Sequence, residues 1–303
     1  MKNEFYDALI QLTAEKNVLT DEPMKKHVTF RVGGAADYFV SPESAEEVQK
    51  IILLCKEKGM PYYILGNGSN LLVSDSGYRG VIIQIYKSMS DISVEGELVK
   101  AQAGALLSAI AAQAAAASLT GFEFASGIPG TIGGAAVMNA GAYGGEMKDV
   151  IAQVTVLTKD GEILVIPGEK MEMGYRTSIV AKNQYIVLEA VIRLAHGEQE
   201  QIRAKMEELK EKRTTKQPLE YPSAGSTFKR PEGYFAGKLI EDAGLRGFQV
   251  GGAQVSEKHC GFVINKDQAT AAEVRELIRQ VSERVRENSG VTLEPEVKML
   301  GEF

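Results

Sequence analysis

Residues 124–145 read FASGIPGTIGGAAVMNAGAYGG. The stretch holds Gly127, Gly130, Gly133, Gly134, Gly141, Gly144 and Gly145, with Thr131 and Asn139 between them. Glycine at this density is tolerated where backbone must approach something closely, because no Cβ stands in the way. A shorter companion, LGNGSNLLVSD at residues 65–75, supplies Gly66, Asn67, Gly68, Ser69 and Asn70. It opens like G-x-G-x-x-G, but Leu71 takes the third glycine position and an apolar, strand-like run comes next in place of a helix. Both facts count against the dinucleotide fingerprint, which needs strand, turn, helix and a close-packing third glycine. No G-x-x-x-x-G-K-[ST] occurs, so there is no P-loop. Two loops with accessible backbone N–H groups remain, a chemistry suited to phosphate. Each alone reads equally well as a turn.

The chain has 303 residues, 44% hydrophobic and 24% charged, with a net charge of −6. That length exceeds one ordinary core and implies two or three subdomains. The absence of a dominant basic patch argues against nucleic acid or anionic membrane as the main partner. An anionic ligand must then be held by a few placed cations and backbone amides. Two glycine loops in an acidic chain favour a diphosphate cofactor. Cys55 and Cys260 fit a reducing compartment better than a disulfide scaffold, and no pair among them and His27, His196 and His259 has metal-ligand spacing. The N-terminus MKNEFYDALIQL lacks a signal-peptide core. The small-apolar stretch from Ala103 to Ala117 is too short and too weakly hydrophobic to span a membrane. These features predict a cytoplasmic protein.

The element pattern predicts an α+β class with mixed sheets. SPESAEEVQKIILLCKEKG reads as an amphipathic helix, with Ser44 and Glu47 at capping-box spacing. PYYIL, LLVS and VIIQIY read as strands. Two short strands flank Gly96, an alanine-rich helix runs from about 106 to 118, and Asp160-Gly161 marks a hairpin. YIVLEAVIRL reads as a buried strand. EQEQIRAKMEELKEKR is a charged helix with Ile202, Met206 and Leu209 on its apolar stripe. Further on come a short helix at about 234–243 and a strand at 260–264. Thr270 and Glu273 then cap a helix carrying Val274, Leu277, Ile278, Val281 and Val285 on one face. VTLEPEVKML is a final strand, an edge or bulged one because of Pro295.

Four local patterns carry candidate chemistry, each with a plain alternative. YPSAGSTFKRP places Ser226 behind a glycine, which reads as a turn. A nucleophilic role would need a base and the G-x-S-x-G elbow, which GSTF lacks. Arg176 in GYRTS reads as a surface charge, and Lys216 sits in the solvated basic run KEKRTTK. In LEPEV, period-two alternation puts Glu294, Glu296 and Lys298 on one face, leaving either glutamate eligible.

In order along the chain, TFRVGGAADYFV, GNGSNLL, GIPGTIGGA, MNAGAYG, GYRTS, RTTKQP, AGSTFKRP, GGAQVSEKHCGFVIN and LEPEV resemble segments of the UDP-N-acetylenolpyruvoylglucosamine reductase (MurB) family. The resemblance spans about residues 20–301, and the ordered set is far more specific than any single motif. It implies a two-subdomain FAD-binding fold of the vanillyl-alcohol-oxidase/PCMH type, over residues 1–85 and 86–200. A C-terminal α+β substrate domain comes after it over 201–303, with the last strand returning to the first subdomain. It also implies non-covalent FAD, NADPH as hydride donor and a UDP-sugar enolpyruvyl ether as substrate, in peptidoglycan precursor synthesis.

The resemblance assigns roles residue by residue. The FAD contacts are Gly66, Asn67, Gly68, Ser69, Asn70, Gly127, Gly130, Thr131, Gly133, Gly134, Asn139 and Arg213. Ser226 matches the family's proton donor. Arg176 matches the arginine facing the enolpyruvyl carboxylate, and Glu296 the catalytic glutamate. Lys216 matches the lysine for the UDP diphosphate. Two positions depart from some members: Arg230 replaces an asparagine and His259 a glutamine, and both are expected at the substrate. The chain resembles the shorter subclass, which lacks the insertion that supplies a substrate-contacting tyrosine. Two rival readings remain distinct. One is an FAD oxidase on the same fold, which would often tether its flavin through His or Cys. The other is a nucleotide-sugar binding protein without flavin.

Overall fold

The computed structural model describes residues 2–303, and the chain divides into two compact units. The first comprises residues 1–19, 38–67 and 80–213, and the second residues 20–37, 68–79 and 214–303. Each has its own hydrophobic core. Neither unit is continuous in sequence, and the shorter glycine loop is divided, with Gly66 and Asn67 in the first unit and Gly68, Ser69 and Asn70 in the second.

In the first unit an antiparallel sheet runs in the order Ile163–Pro167, Ile151–Leu157, Ile186–Arg193, Leu98–Gln102 and Ile92–Glu95. The Asp160-Gly161 hairpin joins the first pair, with Gly161 at φ +86°. The helix Ala45–Glu57 begins at Ser44, whose hydroxyl accepts from the Glu47 amide, and it buries Val48, Ile51, Ile52 and Cys55. Strand Tyr62–Leu65 pairs in parallel with Val81 to Gln84 of strand Tyr78–Gln84 and delivers the chain to Gly66. The alanine-rich helix is Leu107–Ala116.

The longer glycine stretch is not loop throughout. It contains the helix Ile132–Met138, started by the Thr131 side chain and ended by Asn139 in the left-handed region at φ 45°. Glycine lowers helix propensity, which hides this helix from a reading of composition. Packing overrides propensity here: the helix lies against strand Ile186–Arg193, and the Gly133 amide donates to Ala103 O at 2.9 Å.

In the second unit the antiparallel sheet order is Ser223–Ser226, Phe262–Asn265, Ala253–Val255 and Gln249–Val250. Helix Ala271–Ser289 covers it with Val274, Leu277, Ile278, Val281 and Val285, starting from a Thr270/Glu273 capping box and ending at Gly290. Asp75, just past the strand Leu71–Val73, accepts from the Ala271 and Ala272 amides at 2.8 and 2.9 Å. Its carboxylate therefore sits at the positive end of that helix. The final strand is shorter than VTLEPEVKML: only Lys298–Leu300 forms one, in parallel with Leu71–Val73. Upstream of it, Pro295 makes only an isolated bridge with Phe228.

The two adjacent glycines of the short helix face different surroundings. A Cβ on Gly133 would lie 2.9 Å from both Cβ and O of Ala103, so Gly133→Ala should cost about 1–3 kcal/mol through overpacking. Gly134 is exposed, and a Cβ there would meet only Thr131 Oγ1 at 3.6 Å. Gly134→Ala should stabilise the flavin-free protein by about 0.5–1 kcal/mol through reduced chain entropy. Urea unfolding of the two variants checks the opposite signs.

Candidate functional site

In the first unit the two glycine segments lock together. A Cβ on Gly66 would sit 2.7 Å from Thr131 Oγ1. Asn67 Nδ2 donates to Pro129 O at 2.7 Å, and Gln84 Nε2 to Gly66 O at 3.3 Å. Gly130 O accepts from the Leu107 amide at 3.1 Å. Gly66, like Gly133, Gly141 and Gly145, is thus required by chain packing against chain. Gly134 differs, because its exposed face is open. Gly127 borders Arg213: a Cβ there would lie 3.1 Å from its Cδ. Burial depresses the Arg213 pKa, and only Tyr143 acts in the opposite sense. A half-buried cation of this kind gains from an anion beside it. An open glycine face and a desolvated guanidinium therefore fit an extended diphosphate cofactor such as FAD.

Asn139 has another occupation. Its side chain is almost fully buried, with Nδ2 donating to Glu146 Oε2 at 2.7 Å and to Gly174 O at 3.1 Å, and Oδ1 accepting from the Lys148 amide at 2.9 Å. It ties the longer glycine segment to the tight turn Gly174–Thr177. Arg176 sits in that turn at φ 57°, with its guanidinium carbon 5.1 Å from the Tyr175 ring centroid. Ser178 strengthens the same tie, donating from Oγ to Val137 O at 2.7 Å. Lys148 first, with help from Asn139 and the more distant Arg176, holds the Glu146 carboxyl below its usual range. Neither Glu146 nor Ser178 stands out in the sequence, because their partners are 7 to 41 residues away.

The second unit holds Ser226, Glu296 and Asn70 together. Ser226 ends its strand, with the register set by Ser223↔Ile264 and Ser226↔Phe262 and a bulge between. Gly225, at φ +75° with nothing within 4 Å of where a Cβ would stand, makes the bulge. Bulges re-aim side chains beside active sites, and Ser226 is exposed while its neighbour Thr227 is fully buried. Thr227 is pinned at three points. Its amide donates to Gly261 O at 2.9 Å, its hydroxyl accepts from the Val263 amide at 2.9 Å, and its carbonyl accepts from the Glu296 amide at 2.8 Å. Asn70 Nδ2 donates to Glu296 O at 3.3 Å.

The surrounding cations diverge. Lys229 makes an exposed ion pair with Glu294 at 3.0 Å, directing it to that surface partner. Arg230 stacks 4.0 Å over the exposed Phe235 ring. Lys216 is exposed at the end of helix Gln199–Lys216. His259 Nδ1 accepts from the Gly261 amide at 3.0 Å, which leaves its proton on Nε2, free to donate. Its ring meets Phe262 edge-on at 5.0 Å. Burial pushes the His259 pKa down, so it is neutral at pH 7.

The FAD binding domain model matches residues 36–166, and the C-terminal domain model of UDP-N-acetylenolpyruvoylglucosamine reductase matches residues 217–300. With the α+β architecture, these matches define an FAD-dependent oxidoreductase. The chain belongs to the UDP-N-acetylenolpyruvoylglucosamine reductase family. The reductase of Agathobacter rectalis is 55% identical over 315 residues, covering 100% of both chains. That of Clostridioides difficile is 50% identical, covering 99% of this chain and 98% of its own. The crystal structure of the MurB enzyme from Thermus caldophilus matches with a TM-score of 0.80 at 36% identity, over 94% of this chain and 98% of that one. A Phl p 4 variant described as a glucose oxidase matches with a TM-score of 0.50 at 13% identity, over 64% of this chain and 44% of its own, and shares the fold alone. Among the described residues, no helix is long and apolar enough to cross a membrane.

The His259 geometry sets a pH dependence. Its neutral form is favoured in the folded protein, so its contribution to stability is complete above the ordinary value of 6.5 and is lost as pH falls below it. His259→Gln should flatten the stability–pH profile below 6.5, measured by urea unfolding at successive pH values.

Proposed function

We propose that the chain reduces the enolpyruvyl group of UDP-N-acetylglucosamine enolpyruvate to give UDP-N-acetylmuramate, in cytoplasmic synthesis of peptidoglycan precursors. The observation that carries the chemistry is the Gly225 bulge, which presents the Ser226 hydroxyl from a strand locked to the Glu296 segment. Residues 1–85 and 86–200 are assigned to cofactor binding and residues 201–303 to substrate.

The two glycine segments and Arg213 would hold FAD, which would supply the hydride chemistry toward the terminal carbon of the enolpyruvyl double bond, with NADPH as the source of the hydride. Negative charge then gathers on the α-carbon and spreads into the neighbouring carboxylate. Arg176 offers a planar, permanently charged guanidinium, suited to a two-point grip on that carboxylate. Its charge stabilises the enolate-like state. Ser226 donates its proton to the α-carbon as general acid. Glu296 hydrogen-bonds the enolic form. Lys216 and Arg230 take the diphosphate, and the Nε2–H of His259 supplies a neutral donor to the substrate. A serine hydroxyl is a poor acid, so neighbouring donors must stabilise the transient alkoxide. The ion pair of Lys229 with Glu294 makes that lysine a weak candidate for the task.

Ser226→Ala tests the assignment when the two halves of the cycle are followed separately. Flavin reduction by NADPH should keep its rate, and reoxidation by the enolpyruvyl sugar should fall by about 10²–10⁴-fold. Equal slowing of both halves would contradict the proton-donor role. Glu296→Gln should likewise slow reoxidation while sparing reduction, and full reoxidation rates in that variant would remove Glu296 from the mechanism.

A further inference from the structure

We infer that Thr29 is a positioning residue that sets the Ser226 strand against the Gly68–Asn70 end of the shorter glycine loop. The inference rests on the proposed roles of Ser226 and of that loop.

Thr29 lies in the turn preceding Phe30, within TFRVGG. Its backbone amide donates to Gly68 O at 3.1 Å. Its hydroxyl lies 2.6 Å from Ser223 O and 3.4 Å from Gly68 O. A hydroxyl has one proton to give, and the shorter distance directs it to Ser223 O. One residue thus holds the cofactor loop by its backbone and the serine strand by its side chain.

The post itself is rigid. Phe30 and Val32 are buried in the second core, and Phe30 O accepts from Asn265 Nδ2 at 3.1 Å. Asn265 is doubly committed, because its Oδ1 accepts from the Ala269 amide at 2.8 Å. Gly68 is seated just as firmly. It adopts φ +64°, and a Cβ there would fall 2.2 Å from His27 O. Only glycine fits, so the loop cannot slide along the turn.

The Ser223 bond matters because it stands at the head of the bulge. Between Ser223 and Ser226 the register shifts, and Gly225 occupies the left-handed region with open space where a Cβ would stand. A bulge of this kind is defined by its two ends. Thr227 anchors the downstream end through Gly261, Val263 and Glu296. Ser223 is the upstream end, and Thr29 donates the side-chain hydrogen bond to its carbonyl. Releasing that carbonyl lets the Gly225 peptide rotate and swings the Ser226 hydroxyl. Misplacement by about 1 Å costs up to 10²-fold in rate for aligned proton and hydride transfers. The cofactor loop and Glu296 stay in place, since Asn70 holds the Glu296 carbonyl independently.

The test uses the full-length, FAD-loaded enzyme with Thr29→Val, Thr29→Ser and Ser226→Ala. Valine keeps the branched shape and removes the donor. In Thr29→Val, flavin reduction by NADPH should stay within about twofold of the parent, and reoxidation by the enolpyruvyl sugar should slow about tenfold. Thr29→Ser, which keeps the hydroxyl, should restore the parental rate. In the flavin-free protein, amide hydrogen exchange at residues 224–226 should be faster in Thr29→Val and parental in Thr29→Ser. Should valine lower the melting temperature severely, Thr29→Ala repeats the donor loss without a branched side chain. Slow reoxidation in Ser226→Ala with parental reoxidation in Thr29→Val would overturn the inference and leave the serine assignment standing. Parental reoxidation in Ser226→Ala would overturn both. A Thr29→Ser variant as slow as Thr29→Val, or equal loss of both half-reactions, would reduce Thr29 to a purely structural role.

Discussion

The Glu296 amide donates to Thr227 O at 2.8 Å, and the Lys229 amide donates to Glu294 O at the same distance. These two bonds join segments about 65 residues apart and flank an isolated bridge between chain stretches that have no local reason to meet. The geometry proposed for the second unit depends on them. They bring a serine and a glutamate to neighbouring positions, and they fix the downstream end of the bulge that exposes Ser226. The Phe228–Pro295 bridge explains how proline is accommodated: it falls where the pairing is an isolated bridge, and the lost donor costs no ladder bond.

The glycine segments obey a second constraint. Gly66, Gly68 and Gly133 are surrounded by protein, with Thr131, His27 and Ala103 standing where a side chain would go. Close approach of chain to chain positions these loops before any cofactor binds. In the proposed FAD site, such preformed loops reduce the ordering cost that binding would otherwise carry. Gly134 and the Gly127–Arg213 border are where these loops face outward. Net charge of −6 argues against a broad electrostatic attraction for anions, so a single desolvated arginine and aligned amides suit this chain better than a basic surface.

Much of this was legible without coordinates. The capping pairs Ser44/Glu47 and Thr270/Glu273, the Asp160-Gly161 hairpin and the apolar stripe of the last long helix all come from short-range periodicity. Helix Ile132–Met138 was not legible, since two glycines in seven residues argue against a helix and only contact with strand Ile186–Arg193 supports it. Asn139 is an expected cofactor contact by the family resemblance. Its three bonds to Glu146, Gly174 and Lys148 give it a structural task that local sequence does not reveal. Thr29 and Asp75 escaped for the same reason, because their partners lie more than 190 residues away. Ser226 lay between: the glycine before it was visible, but its bulge depends on register with Phe262 and Ile264.

The most direct test of the central claim is a crystal structure of the FAD-loaded enzyme with the enolpyruvyl sugar bound. The account predicts Ser226 Oγ about 3–3.5 Å from the substrate α-carbon, with the Arg176 guanidinium on the substrate carboxylate. A complex in which Ser226 points away from that carbon, or in which Arg176 does not reach the carboxylate, would contradict it.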